Sequence, residues 1–368
     1  MATYRVGIIG HTGRGNYGHD LDNVWLRIPG VDIVGVADAD PTGLSKAVQR
    51  LGVTNGFADY REMLDRMQPD IVSVAPRWLD QHAAMITACA DRGIHVFTEK
   101  PFCRSPAEAD AIVQSCERHQ VKLAIAFQTR YSPKLAIVRQ LLEQGKIGDL
   151  IEIQARGKED RRGGGEDLWV LGSHVLNLMN HFGGTPHWCH AEVRQSGRAM
   201  QIADVAEGNE GLGPLAGDIV HATFGLDNGI VGSFNSHRHA GAGSESRFGI
   251  RLLGSKGQIE MKTGLLPNAY LLADPFWSPG KSGIAWQPIS SAGLGVEETR
   301  QDGGLIAGNV LACLDLLDAI EQDRHPEANM YEARTTVEMI AAVFHSHLSG
   351  NRVALPLTNR AWPLQQTT

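Results

Sequence analysis

Three acid–base side chains in the segment EDLWVLGSHVLNLMNHF (Glu166–Phe182) fall seven residues apart: Asp167, His174 and His181. At about 100° per residue, a seven-residue step returns to nearly the same helical azimuth. The spacing predicts a helix with one titratable stripe, packed by Leu168, Leu171, Val175 and Leu178. A carboxylate that orients an imidazole makes a general acid or base. Asp167 has two readings, which can coexist. It caps the helix after the run of glycines, at the positive end of the dipole, or it works with His174 through a water or on a substrate hydroxyl. Glu166 is close but less well aligned. His174 is either a core histidine bonded to backbone or a proton-transfer group. Asn177 either binds a substrate hydroxyl or faces the sheet. His181, near the helix end, reads as structural and favoured there when protonated.

A second candidate is TEKPF (Thr98–Phe102), in which Lys100 precedes Pro101. The proline biases the lysine backbone towards extended conformations. A lysine held beside a cofactor can share the proton of a substrate hydroxyl; the alternative is a surface lysine in a turn. A third is the loop of GIIGHTGRGNYGHD (Gly7–Asp20), between an apolar run and a helical pattern reaching about Leu26. Dinucleotide fingerprints occur in that context, where glycines admit a pyrophosphate and a helix N-terminus stabilises its charge. Counted from Gly10, the second fingerprint position is Thr12; the series Gly13-x-Gly15-x-x-Gly18 fits but starts late. Gly10, Thr12, Gly13, Arg14, Gly15 and Asn16 form the candidate pyrophosphate loop. Asp38 ends the next apolar run, where an acidic residue holds the adenosine ribose. DADPT has no adjacent Arg or Lys for a 2′-phosphate, so NAD is expected rather than NADP.

Positioning these groups requires two kinds of scaffold, and the periodicity changes near residue 127. Before it, near-continuous apolar runs (4–10, 31–38, 70–76, 94–100, 121–127) alternate with helical patterns over 41–51, 80–93 and 105–120. That predicts a parallel sheet covered on both faces, with ligands beyond the strands' carboxyl ends. After it, alternating strands joined by DNG and SKG turns predict antiparallel pairing and an α+β domain. The expected division is 1–126 and 127–368. Segments 199–215 and 264–304 look irregular, and helices over 305–323 and 331–349 precede RVALPL. With 368 residues, 42% hydrophobic and a net charge of −7, the chain has a soluble globular composition and no long basic run. Nucleic acid and membrane are therefore not expected partners. Five scattered cysteines without a CxxC spacing argue against a disulfide framework. With no room for a secretory leader before the first strand, a cytoplasmic location is expected.

The order of glycine loop, acidic strand end, Glu99-Lys100-Pro101, AFQTRYSP, the Gly-rich lead into a GSH helix and a terminal GNRVALP resembles the Gfo/Idh/MocA oxidoreductase family. The match runs over nearly the whole chain, and Glu-Lys-Pro is its most specific part. The resemblance implies an N-terminal Rossmann domain and a C-terminal domain on a large open, mostly antiparallel sheet. It implies NAD(P)-linked chemistry on sugars, cyclitols or related polyols, and homodimers or homotetramers formed through the outer sheet face. Lys100 matches the family's catalytic lysine and His174 its catalytic histidine. Gln128 and Arg130 match positions near the nicotinamide and the domain junction. Pro76 matches a cofactor-contacting loop, with Arg77 where Asn is usual, and Glu99 joins that cofactor set. Two departures follow: the usual aspartate four residues before the histidine is Val170, and the one three residues after it is Asn177.

Lesser candidates complete the set. Lys158, Arg161 and Arg162 lie over the cleft or form a solvated loop, and His237 reaches sugar hydroxyls. HWCH (187–190) is too compact to complete a metal site, so none is expected. Trp169 and Trp188 read as packing. The leading expectation is an NAD-dependent sugar or polyol oxidoreductase. The alternatives are a redox-neutral, NAD-dependent glycoside-cleaving or lyase-type enzyme and an inactive dinucleotide-binding regulator.

Overall fold

The computed structural model describes residues 4–240 and 246–365. The chain forms two compact units: Met1–Gln128 with Asn209–Gly213 and Leu305–Arg334, and Thr129–Gly208 with Pro214–Gly304 and Thr335–Thr368. A single cut near residue 127 thus misses two later segments that pack with the first unit.

The first unit is a six-stranded parallel sheet of β1 (Tyr4–Ile9), β2 (Val31–Ala37), β3 (Gly56–Phe57), β4 (Ile71–Val74), β5 (His95–Thr98) and β6 (Leu123–Ile125), in the order β3-β2-β1-β4-β5-β6. Val6, Ile8, Ile71, Val72 and Val74 are inaccessible to solvent, as strands covered on both faces require. Helices α1 (Pro41–Leu51), α2 (Tyr60–Met67), α3 (His82–Ala90) and α4 (Pro106–Arg118) link later strands. The Asp40 carboxylate accepts from Gly43 N at 2.6 Å to start α1, and left-handed Gly52 ends it. The sequence reading passed over α2, whose signals are the Asp59 cap and buried Met63 and Leu64.

No α-helix follows the glycine loop. Two 3-10 turns, Gly18–Asp20 and Asn23–Arg27, replace the expected helix. Asn16, His19 and Asp20 are left-handed, at φ 53°, 46° and 62°, which right-handed α-helix does not tolerate. Backbone N–H groups of the loop, rather than a helix dipole, must therefore meet any phosphate.

In the second unit, α5 (Pro133–Glu143), β7 (Leu150–Arg156), α6 (Gly165–Val170), α7 (Gly172–Gly183) and β8 (Trp188–Gln195) precede a run of strands. Among the described residues the sheet has 11 strands. At its centre, β7 pairs in parallel with Val231–His237 and antiparallel with Gly249–Gly254. The DNG and SKG turns close hairpins as expected. Helix α7 lies on one face, where Gly232 admits Met179 and Gly183 admits the Ile153 side chain. Strands Ala269–Leu272 and Gln287–Ser290 form within the stretch read as irregular.

The helix expected over 166–182 is broken at Leu171, where φ is −120°. Gly172, the first residue of α7, packs closely there: a Cβ would stand 3.0 Å from the Phe234 ring and 3.1 Å from Asp167 O. Asp167 and His174 consequently belong to different helices, and the seven-residue stripe does not exist as one face.

Candidate active site

The first unit's strand order reverses between β1 and β4, and the loops at the carboxyl ends of β1, β2, β4 and β5 carry the cofactor candidates. A Cβ on Gly10 would overlap the Tyr17 ring at 2.1 Å, whereas one on Gly13 would meet nothing within 4 Å. Gly15 is left-handed, and its absent Cβ would stand 2.4 Å from both Arg77 N and Trp78 N. Asn16 braces the turn, accepting from Gly13 N at 3.0 Å through its side chain. The buried Asp38 carboxylate accepts from Thr12 N and Thr12 Oγ1, the latter at 2.7 Å, and from Asp40 N at 3.0 Å.

Beside Asp38 is a cavity of about 200 Å³ lined by Gly10, His11, Ala39, Asp59, Tyr60 and Arg61 among others. Its place suits an adenosine moiety, with Asp38 to hold the ribose and open space at Gly13 for the diphosphate. Arg61, invisible as a neighbour of Asp38 in sequence, lies against Tyr60 with 4.4 Å between guanidinium and ring centre.

Sequence reading also missed the residues that fasten these loops. The buried His82 ring spans Pro76 O at 2.7 Å and Pro101 O at 3.0 Å, tying the loop after β4 to the one bearing Lys100. Arg77 donates to Glu210, and Arg14 to Asp80 while stacking on Trp78. Glu210 belongs to the 199–215 stretch that sequence could not place.

Glu99 is fully buried and accepts from Lys100 N at 2.7 Å and from the His19 ring. Burial opposes its ionisation. The His19 hydrogen bond and the His19 and Lys100 charges outweigh that effect and hold the carboxyl below its ordinary range. Lys100 itself is buried, 8% exposed, at the end of β5. Gln128 is turned to the helix Leu305–Glu321: its amide donates to Leu305 O at 3.2 Å and Asn309 Oδ1 at 3.4 Å.

In the second unit, Asp167 is fully buried and its carboxylate is committed to structure. It accepts from Ser236 Oγ at 2.6 Å, Glu159 N at 3.1 Å and Lys158 N at 3.3 Å. It makes no helix cap by side chain. It clamps the 158–164 turn to the strand Val231–His237 over Gly157, where a Cβ would meet Asp167 Oδ2 at 2.0 Å. Burial raises its carboxyl above the ordinary range despite those donors.

His174 occupies the first turn of α7, half-buried, with its ring edge-on to Phe248 at 6.1 Å. Asn177 is fully buried and accepts from Arg130 Nη1 at 3.1 Å, so it faces the interior. The Lys158 ammonium is 3.9 Å from Asp160, and Arg162 pairs with Asp160 at 2.6 Å. His237 N donates to Glu159 at 3.1 Å and its ring lies 4.9 Å from that of His221. His187 pairs with Asp227 at 2.7 Å, and Trp169 is buried against Trp362. The second unit thus ties the backbones of Lys158 and His237 to the Asp167 and Glu159 carboxylates, while their side chains turn to Asp160 and His221; Glu159 and Ser236 are two residues the sequence reading overlooked.

His181 is held neutral, contrary to the expected stabilisation when protonated. Burial, then the Arg130 and Arg139 charges, pushes its imidazole down to about 3. A base with a depressed folded-state pKa stabilises fully above its ordinary value of 6.5 and loses that contribution as pH falls towards 3. His181→Leu is expected to reduce the acid loss of stability in this window by up to about 1.4 kcal/mol per pH unit. Urea midpoints at several pH values check this; parallel wild-type and variant curves would contradict it.

Comparison with known proteins supplies the remaining observation. Residues 4–127 match the model of the oxidoreductase family with an NAD-binding Rossmann fold, and 135–260 match the Gfo/Idh/MocA C-terminal domain. The chain belongs to the Gfo/Idh/MocA family. Its first unit is the family's NAD-binding domain. Levoglucosan dehydrogenase of Pseudarthrobacter phenanthrenivorans is 25% identical over 249 residues, 61% of this chain and 63% of that protein. A glycosyl hydrolase family 109 protein of Shewanella woodyi is 31% identical over 164 residues, 42% of this chain and 34% of its own. Both alignments span less than two thirds of the relative. A crystallised levoglucosan dehydrogenase in complex with NADH and L-sorbose shares the fold, with a TM-score of 0.77 at 19% identity, covering 97% of this chain and 100% of the other.

Proposed function

We propose that this Gfo/Idh/MocA protein is an NAD-dependent oxidoreductase acting on a secondary hydroxyl or keto group of a sugar, cyclitol or related polyol. The observation that carries the reading is Lys100: a buried lysine at a strand's carboxyl end, backbone-fastened to Glu99, within an NAD-binding fold. When bound, NAD supplies the hydride acceptor. Gly10, Thr12, Gly13, Arg14, Gly15, Asn16, Asp38, Pro76 and Arg77 line its path. Lys100 takes the proton of the reacting hydroxyl or stabilises its developing negative charge, with His174 as the second proton-transfer group. Lys158 and His237 bind further hydroxyls. Asp167 acts here by positioning the 158–164 turn, and Gln128 by holding the cofactor-side helix. The test is a purified-protein assay for reduced nicotinamide with levoglucosan, myo-inositol and common aldoses. NADH formation with at least one of them is expected; none with NAD or NADP in either direction would overturn the reading.

A redox-neutral cycle is favoured by one observation. Asn209–Gly213 packs on the loops that carry Arg77 and Asp80, with Glu210 paired to Arg77 and Gly211 seated against Asp80. Such a clasp suits a cofactor retained between turnovers, and one relative is named a glycosyl hydrolase. Nucleotide surviving gel filtration, with glycoside cleavage and no net NADH, would establish this second reading.

A further inference from the structure

The turn that replaces a helix after the glycine loop brings a histidine to the buried end of β5. His19 lies inside the 3-10 turn Gly18–Asp20, left-handed at φ 46° and ψ 36°. Its carbonyl accepts from Nδ2 of the fully buried Asn309 at 2.8 Å. That asparagine in turn takes the Gln128 amide on its own oxygen at 3.4 Å. Gly18 lets the turn close: a Cβ there would stand 2.3 Å from Arg77 Cγ, 2.9 Å from Glu99 Oε1 and 3.1 Å from Ala75 O. So held, the His19 ring meets Glu99.

The Glu99 carboxylate divides its oxygens. Oε1 accepts from His19 Nδ1, and Oε2 from Lys100 N at 2.7 Å. An ionised carboxylate can only accept, so Nδ1 carries the hydrogen. Glu99 is inaccessible to solvent, and burial alone would favour its neutral acid. The His19 contact does more than Lys100 to oppose that effect. The other charged or titratable groups on the surrounding elements have partners of their own. Arg77 gives its guanidinium to Glu210, and Asp20 takes the Asn23 amide. His82 spends its ring on the Pro76 and Pro101 carbonyls, and Arg104 pairs with Glu108. On the helix Leu305–Glu321, Asp315 and Asp318 pair with Arg324.

We propose that His19 is a positioning residue for the reaction: by donating to Glu99 it lets Lys100 release its own proton and so accept the one on the substrate hydroxyl. This role rests on the proton uptake by Lys100 proposed above. To take that proton, the Lys100 Nζ must begin as the amine. A carboxylate beside a lysine favours the ammonium instead. The His19 N–H offsets part of the Glu99 charge and weakens that hold. Glu99 and Lys100 are neighbouring groups that titrate as a pair. Loss of a donor on the carboxylate raises the pair's proton affinity, whichever member carries the proton. The sign is therefore fixed: without His19 the pair keeps its proton to higher pH, and oxidation begins at higher pH.

The test compares His19→Gly with His19→Asn. Both residues accept left-handed backbone, so the turn is kept, while only asparagine retains a side-chain N–H donor. At neutral pH, His19→Gly is expected to lower kcat about tenfold and to move the acid limb of the oxidation profile up by about one pH unit, with the NAD KM changed less than about twofold. His19→Asn is expected to recover most of both effects. Nuclear magnetic resonance reads the same coupling without turnover. In protein isotope-labelled at lysine Cε, the Lys100 signal is assigned by its absence from Lys100→Ala. That signal should keep its ammonium position to higher pH in His19→Gly than in the wild type. If the wild type oxidises no sugar, the proposed function falls, and this titration alone decides the His19 assignment. An unchanged pH profile and an unchanged Lys100 titration in His19→Gly would overturn it. So would a kcat loss that His19→Asn shares in full, or a raised NAD KM with kcat intact, since either makes the histidine only a part of the turn.

Discussion

Replacing Lys100 with Ala is expected to lower turnover by at least about 10²-fold while leaving NAD affinity nearly unchanged. The separation follows from where its atoms lie. The backbone N–H is held by Glu99 whatever the side chain, so the loop keeps its shape in the variant. Glu99 in turn is fixed by His19, and the neighbouring Pro101 carbonyl by His82. The side chain beyond Cβ is lost, and with it the ammonium that takes up the hydroxyl proton and one of the charges that favour the Glu99 carboxylate. Lys100→Arg keeps the charge but places it on a wider, planar group, so it should restore little activity. Steady-state rates and NAD titration by fluorescence give the two readouts. Equal turnover in Lys100→Ala, or a parallel collapse of NAD binding, would remove the proposed role.

Asp167→Asn is expected to destabilise the protein by on the order of 3 kcal/mol. Its carboxylate accepts from two backbone N–H groups and from the Ser236 hydroxyl. An asparagine sets an NH₂ donor against at least one of these, at a position inaccessible to solvent. The pH dependence has a definite sign. Burial raises the Asp167 carboxyl above its ordinary range, so the folded state holds the proton more tightly than the unfolded one. Its favourable contribution is therefore fullest below the ordinary carboxylate range and is lost as pH rises through the raised value. The stability gap between wild type and Asp167→Asn should accordingly narrow from acid towards neutral pH. Chemical denaturation across that range checks both magnitude and trend. A variant with an unchanged midpoint but a large drop in turnover would instead make Asp167 an orienter of His174.

Particular residues show what was legible beforehand. Parallel strands and their helices were readable because both faces of β1 and β4 are buried, leaving short runs rich in Val and Ile, and because Asp40, Ser105 and Gly52 mark helix ends with local chemistry. Lys100, Asp38 and the glycine loop were findable as local motifs. The break at Leu171 was not, because the Phe234 ring that lies against Gly172 comes from a strand more than sixty residues away. For the same reason the periodic stripe misled: Asp167 answers to Ser236 and to the turn at 158–159, not to its helical azimuth. The 3-10 turns after Asn16 arise from successive left-handed residues that no hydrophobic period reports. Glu210 reaches Arg77 across 133 residues, which only the folded chain brings together, and His82 joins carbonyls 6 residues before it and 19 after it, with no periodicity to report the pairing.

Hydride transfer itself can be followed atom by atom. A sugar or cyclitol found to be a substrate, deuterated at the reacting carbinol carbon, would be turned over with NAD, and the nicotinamide recovered for mass spectrometry. Deuterium on C4 of the reduced ring is the predicted result. Product formed with the label lost to solvent, or a nicotinamide that never carries it, would contradict oxidation of a secondary alcohol by this protein.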